Sequence, residues 1–179
     1  MSVFTNPASN SKEQARAYTR AILDLLGERK PMDVLRRTES ALKKSIAGLS
    51  TRQLGKREAP KKWSIKHVLQ HLADSDLVLG WRIRMILAHD RPPLTGYDQD
   101  LWATRLGYEK TTPDDALREF GVLRKGNLRL MQRASAADLK RVGVHSERGD
   151  ESIEYMMRLY AGHDLLHLRQ IERIRRSFD

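Results

Sequence analysis

Residues 163–170 read HDLLHLRQ, with two histidines four positions apart. On a helix that spacing puts both imidazoles on one face, with roughly 5–6 Å between their Cβ atoms. Two nitrogens so placed can ligate one divalent ion. Left unpartnered in a core, each imidazole would instead cost about 1–3 kcal/mol. The other reading is a pair of core-edge histidines hydrogen-bonded to neighbouring helices, and a third ligand separates the two. A second pair, His67 and His71, lies in KHVLQHLADSD, and spacing admits either member. His71 sits beside Val68 and Ser75 at the edge of an apolar stripe. His67 is one turn nearer a Lys-rich helix start and reads as a surface residue. His71, His163 and His167 together would leave a coordination position open for water or substrate, the arrangement of catalytic zinc sites. Asp164 and Gln170 flank the last pair and are candidates to accept the other ring proton of a ligating imidazole. Asp74 is placed on the outer side of its helix, and His89 and His145 read as structural or solvent-facing. HDLLH also approaches the H-E-x-x-H pattern of zinc proteases. Asp reaches less far than Glu as a base, however, and 12 residues after His167 leave little room for a downstream ligand.

Helices must carry these side chains. KEQARAYTRAILDLLG spaces Ala15, Tyr18, Ile22, Leu25 and Leu26 helically and stops at Gly27. A second helix opens at Pro31 and repeats Leu35, Leu42, Ile46 and Leu49, and an extended linker, REAPKKW, follows it. Ser64 is a good cap for a long third segment striped by Ile65, Val68, Leu72, Leu79, Ile83 and Ile86. Paired prolines and two glycines mark residues 90–112 as a long connection, able to act as a lid. Thr112-Pro113-Asp114-Asp115 opens a fourth helix through Leu117, Phe120, Leu128 and Met131, and GVHSERGDE is a turn into the last. That helix runs Ile153, Met156, Tyr160, His163, His167, Ile171 and Ile174 on its core side, so the histidines interrupt an apolar seam. Strand signals are weak throughout. The expected fold is all-α: an antiparallel four-helix bundle with an additional N-terminal helical segment.

The 179 residues fit one domain over 1–179, its first ten residues expected to be flexible. No apolar run approaches the roughly 20 residues that span a bilayer, and no signal-like segment opens the chain, so a cytoplasmic address is expected. Without cysteine, a metal must be held by His, Asp or Glu. The net charge of +10 is concentrated in residues 29–66, which hold 12 Lys/Arg against 3 Asp/Glu. A single aromatic residue, Trp63, falls among those charges, too few to stack successive bases, so they read as a solvated helix face and a basic linker. Nucleic acid is not the expected partner.

KWSIKHVLQHLADSD, GWRIRMIL, RPPLTGYDQDLW, GVHSERG and GHDLLHLRQIERI together resemble the DinB/YfiT-like superfamily of metal-binding four-helix bundles, in particular its DinB-like (DinB_2) branch. The resemblance runs from about residue 18 to 175. It implies an up-down-down-up bundle with a divalent ion, often zinc or nickel, on His71, His163 and His167, and commonly a homodimer. It also implies a small-molecule substrate and, from some relatives, thiol-dependent S-transfer with a low-molecular-weight thiol cosubstrate. Metal-dependent hydrolysis uses the same residues with a different nucleophile. A non-enzymatic stress-response binding module, with a structural metal and a basic surface, is the third reading. Substrate-binding candidates are Arg82, Arg84, Tyr97, Asp98 and Trp102.

Overall fold

The computed structural model describes residues 12–178; the first ten residues, expected to be flexible, lie outside them. Each amphipathic segment forms the helix its spacing predicts: α1 (Lys12–Leu26), α2 (Pro31–Ile46), α4 (Ile65–Ala88), α6 (Pro113–Arg133) and α8 (Ile153–Arg176), with short α3 (Thr51–Gly55), α5 (Gln99–Arg105) and α7 (Ala136–Leu139) in the connections. Local chemistry sets the ends. Gly27 adopts φ +55° after α1, and Pro113 opens α6 behind a Thr112 hydroxyl that accepts from the Asp115 N–H at 3.1 Å. Ser152 caps α8 by accepting from the Tyr155 N–H at 3.0 Å. Ser64 occupies the N-cap position of α4 but caps no backbone N–H, because its hydroxyl is taken by the His67 ring at 2.8 Å.

Cross-helix contacts give the direction of each element. Gln70 meets Glu119, Asp76 meets Arg124 and the Gly80 backbone approaches Asn127, so α4 and α6 run parallel. Thr38 meets Asp164 and Ser45 meets Arg175, so α2 and α8 are parallel too. Leu35 with Arg124 and Glu39 with Gly121 run the opposite way, as do His71 with His163 and Arg82 with Tyr160. The order is up-down-down-up, and α1 packs along α8 as the additional N-terminal segment. Parallel neighbours need a connection as long as a helix, which explains residues 89–112. That stretch is not an open lid: it holds β1 (Pro93–Leu94) and α5, and buries Leu94, Ala103 and Tyr108.

Strand signals are weak along the chain, yet a small sheet forms in the order β1-β2-β3. β2 (Val142–His145) and β3 (Gly149–Ser152) are an antiparallel hairpin where a turn was expected, and β1 lies parallel to β2, with Pro93 opposite Val144 and Leu94 opposite His145. Four-residue strands with glycine at one end carry too few apolar side chains to show an alternating pattern. Their pairing is set by contact with the bundle.

Two apolar clusters fill the bundle. One is built around Leu42, Leu69, Phe120 and Ile171, the other around Leu35, Ile83, Met131 and Met156. Between them in each helix lies a polar layer. Arg124, 2% exposed, donates to both oxygens of Asp76 and of Asp164 and to the Leu35 carbonyl at 2.9 Å. Asn127 donates to Asp76 at 3.0 Å, and the Thr38 hydroxyl donates to Asp164 at 2.7 Å. Burial works against the Arg124 charge, but the carboxylates of Asp164 and Asp76 outweigh it and push its pKa up, so the guanidinium stays protonated. One residue before His163, Gly162 lets α8 approach α1 so closely that a Cβ there would overlap the Ile22 carbonyl.

Replacing Arg124 by Met leaves two carboxylates buried without a counter-charge. Urea unfolding should show a loss of about 3–5 kcal/mol, most of it recovered when Asp76 and Asp164 are made Asn in the same chain. An unchanged unfolding midpoint would deny the layer its role.

Candidate metal centre

His71 on α4 faces His163 and His167 on α8 because the two helices run antiparallel with their polar layers in register. Nε2 of His163 lies 3.0 Å from Nε2 of His71 and 3.0 Å from Nε2 of His167. Two nitrogens bound at 2.0–2.1 Å to one tetrahedral ion would stand about 3.3 Å apart, so the cluster needs only a small expansion to fit. His71 and His167 are 1% and 4% exposed, and His163 is half-buried, on the open side. Nδ1 of His167 faces the Gln170 Oε1 at 2.8 Å; an amide oxygen can only accept, so the ring proton lies on Nδ1 and Nε2 presents a lone pair to the cluster. Nδ1 of His71 and of His163 are buried without a partner among the described residues.

Electrostatics also favours neutral, ligating imidazoles. Burial, with the neighbouring His167, pushes His71 well below its ordinary value. His163 is lowered likewise by burial, His167, His71 and Arg124, and burial brings His167 down to about 4. Three neutral rings with their Nε2 atoms together satisfy one another poorly, since at most one can donate in each pair. A divalent cation accepts all three, so the residues present fit such a group. Among the described residues, these are the one cluster of His, Asp or Glu that could hold a metal.

The other candidates divide. Gln170 orients His167 as expected. Asp164 does not touch an imidazole: with Arg124 and Thr38 as partners, its carboxylate points into the bundle on the far side of α8. Asp74, expected on the outside, is 6% exposed and bonds Tyr108 and Gln70. His67 is not a surface residue but 5% exposed, held by Ser64 and by Arg57 at 3.0 Å, and it stays out of the triad. His145 is 2% exposed, packed against Arg82 at 3.2 Å, and burial, then Arg148 and Arg82, lower it to about 3. Exposed His89 ends α4.

Of the substrate-binding candidates, Arg82 and Tyr97 line a cavity of about 90 Å³ that His71 and His163 also wall. Trp102 stacks behind Tyr97 with ring centroids 4.5 Å apart. Arg84 is exposed and returns to the Gly80 carbonyl at 2.7 Å, and Asp98 caps α5, so neither faces the triad. Ser75, 3.4 Å from His71 Nε2 and 3.2 Å from the Tyr97 hydroxyl, was missed, as were Arg124 and Gln99. For Arg124 the signal was available: a charge falls on the Leu117, Phe120, Met131 face of α6, the same anomaly that marks the histidines on α8. A larger cavity of about 1290 Å³ opens beside His167 and Trp63, and Gln99 lines both spaces.

Comparison with known proteins agrees with this architecture. The chain belongs to the DinB superfamily, whose family model matches residues 34–171. A protein of Oceanobacillus iheyensis, provisionally named a metal-dependent hydrolase, is 28% identical over 130 residues, covering 73% of this chain and 75% of that protein. One of Bacillus cereus with the same provisional name is 27% identical over 138 residues, 77% of this chain and 79% of its own. The structure of YfiT from Bacillus subtilis, described as a probable metal-dependent hydrolase with an unusual four-helix-bundle topology, superposes with a TM-score of 0.78 at 23% identity over 98% of this chain and 93% of that one. At that identity the likeness speaks for the fold.

Gln170→Leu should weaken divalent-metal binding about 10- to 100-fold in chelator competition, since it frees the His167 ring. His67→Ala should leave the affinity unchanged; an effect of His67→Ala equal to that of His71→Ala would redraw the ligand set.

Proposed function

From this membership and this geometry, we propose that the protein is a divalent-metal-dependent hydrolase acting on a small molecule. The observation that carries the reading is the convergence of three Nε2 atoms between a small cavity walled by His71 and His163 and a larger one walled by His167. An ion held by His71, His163 and His167, of which zinc and nickel suit imidazole equally, would supply Lewis-acid polarisation and an acidified bound water. The chain's own residues do the remaining work. Gln170 fixes the tautomer of His167, and the packed polar layer fixes the separation of α4 from α8. The Ser75 and Tyr97 hydroxyls stand in line beside His71 and offer hydrogen bonds to a group reacting there. Burial pushes the Tyr97 phenol up, so it stays a protonated donor.

A second reading, thiol-dependent S-transfer, draws support from the larger cavity. Its volume exceeds what a single small substrate needs, and Arg57, Lys61, Lys62 and Arg169 line it together with Asp24, Glu58, Asp100 and Glu109, a mixed lining that suits a zwitterionic thiol cosubstrate. The two readings differ in their nucleophile and therefore in their requirement for a thiol.

Metal-loaded protein, assayed on chromogenic carboxyl esters, amides and phosphate esters, should hydrolyse at least one class without added thiol. That activity should fall by two orders of magnitude or more in His163→Ala. Turnover seen only with a low-molecular-weight thiol, and yielding a thioether, would replace hydrolysis with S-transfer.

A further inference from the structure

Of the two buried arginines, Arg82 and Arg124, Arg82 is the one without a carboxylate partner among the described residues. Arg124 meets two carboxylates and Arg148 meets Glu151 at 2.5 Å. Arg82 is 5% exposed, yet no carboxylate among the described residues comes within 4.0 Å of it. Its Nη2 donates to the Thr95 carbonyl at 2.7 Å and to His145 Nε2 at 3.2 Å, its Nη1 reaches the Tyr160 hydroxyl at 3.5 Å, and its Nε has no partner. Every group holding it is neutral. A full charge kept out of water without a counter-ion costs several kcal/mol, more than any packing of its stem returns.

That charge faces the small cavity that His71 and His163 wall from the other side. At about 90 Å³ the cavity is well below the roughly 300–1,000 Å³ of an ordinary small-molecule site. It is too small for a whole metabolite and matches a single carboxylate or phosphate headgroup. Tyr18, Tyr97 and Tyr160 line it as well, and burial raises all three phenols, leaving O–H donors. The ionic lining is Arg82, Arg148 and Glu147. Arg148 is already paired with Glu151, and the Glu147 carboxylate lies against Gly96, also a lining residue, so it is the one acid of the lining that a bound anion must face away from. Tyr160 links the two ends, touching Arg82 through its hydroxyl while its ring centroid lies 6.2 Å from that of His163.

We propose that Arg82, with the Tyr160 and Tyr97 hydroxyls, is the anchor for a substrate oxyanion, a carboxylate or a phosphate group, held in the inner cavity beside the three histidines. Gln99 borders both cavities, so the larger space adjoins the anchor's cavity across that one side chain. The bond presented to the histidines then lies within a few atoms of the anionic group. This deepens the metal-dependent reading of the same site, but the anchor is defined by protein groups alone.

Isothermal titration of the metal-loaded full chain with orthophosphate and, separately, with acetate tests it. At least one anion should bind saturably at one per chain. Arg82→Gln should weaken it tenfold or more with metal content unchanged, and Tyr160→Phe should weaken it about threefold. Preference for acetate assigns a carboxylate substrate and preference for orthophosphate a phosphorylated one. If Arg82→Gln does not fold, Arg82→Lys and Tyr160→Phe carry the comparison. Repeating the titration after chelation distinguishes an anion resting on the metal, whose binding vanishes, from one at Arg82, whose binding persists and still depends on Arg82. Wild-type protein that holds metal but saturates with neither anion, or an Arg82 variant that binds as wild type does, overturns the anchor and leaves the metal site standing. Failure to hold metal at all, with anion binding intact, overturns the hydrolase reading and spares the anchor.

Discussion

The site depends on one buried ion triad. Arg124 from α6 joins Asp76 on α4 to Asp164 on α8 and also takes the Leu35 carbonyl of α2, so a single guanidinium touches all four long helices of the bundle. An apolar layer of equal volume would tolerate small slides of one helix past another. This layer does not, because any slide would strand a charge in the core. Asp76 neighbours Ser75, and Asp164 neighbours His163, so fixing the carboxylates fixes the register at which the histidines meet.

The topology has the same logic. Parallel pairing of α4 with α6 requires a long return, and residues 89–112 supply it while lending the site Tyr97 and Gln99. The hairpin β2–β3 and its partner β1 set His145 against Arg82. The connections furnish the cavity and the bundle furnishes the metal ligands, which separates rigidity from adaptability within one site.

How much of this was legible follows from the range of each interaction. Helices α1, α2, α4, α6 and α8 were readable because 3.6-residue spacing of Leu and Ile is a local signal. The triad was readable because imidazoles on an apolar seam are anomalous at every scale. The bundle topology drew on family resemblance, whereas the choice of His71 over His67 came from its place at the edge of the apolar stripe, with which the resemblance agreed; the structure brings His71 to the α8 pair. What a long-range partner decides was hidden. Asp164 could not be separated from an imidazole acceptor without knowing that Arg124 lies across the core. His67 read as exposed because nothing local announces Arg57 folding over it. The sheet left only weak signals since its short strands pair through the backbone and pack Gly143 against Ile86 of α4.

The central claim is that His71, His163 and His167 bind one divalent ion through Nε2. X-ray absorption at the edge of the metal retained by the purified protein tests it most directly. Three imidazole nitrogens at about 2.0–2.1 Å, with at least one further oxygen ligand completing the shell, is the predicted result. A shell of oxygens without imidazole scattering would contradict it.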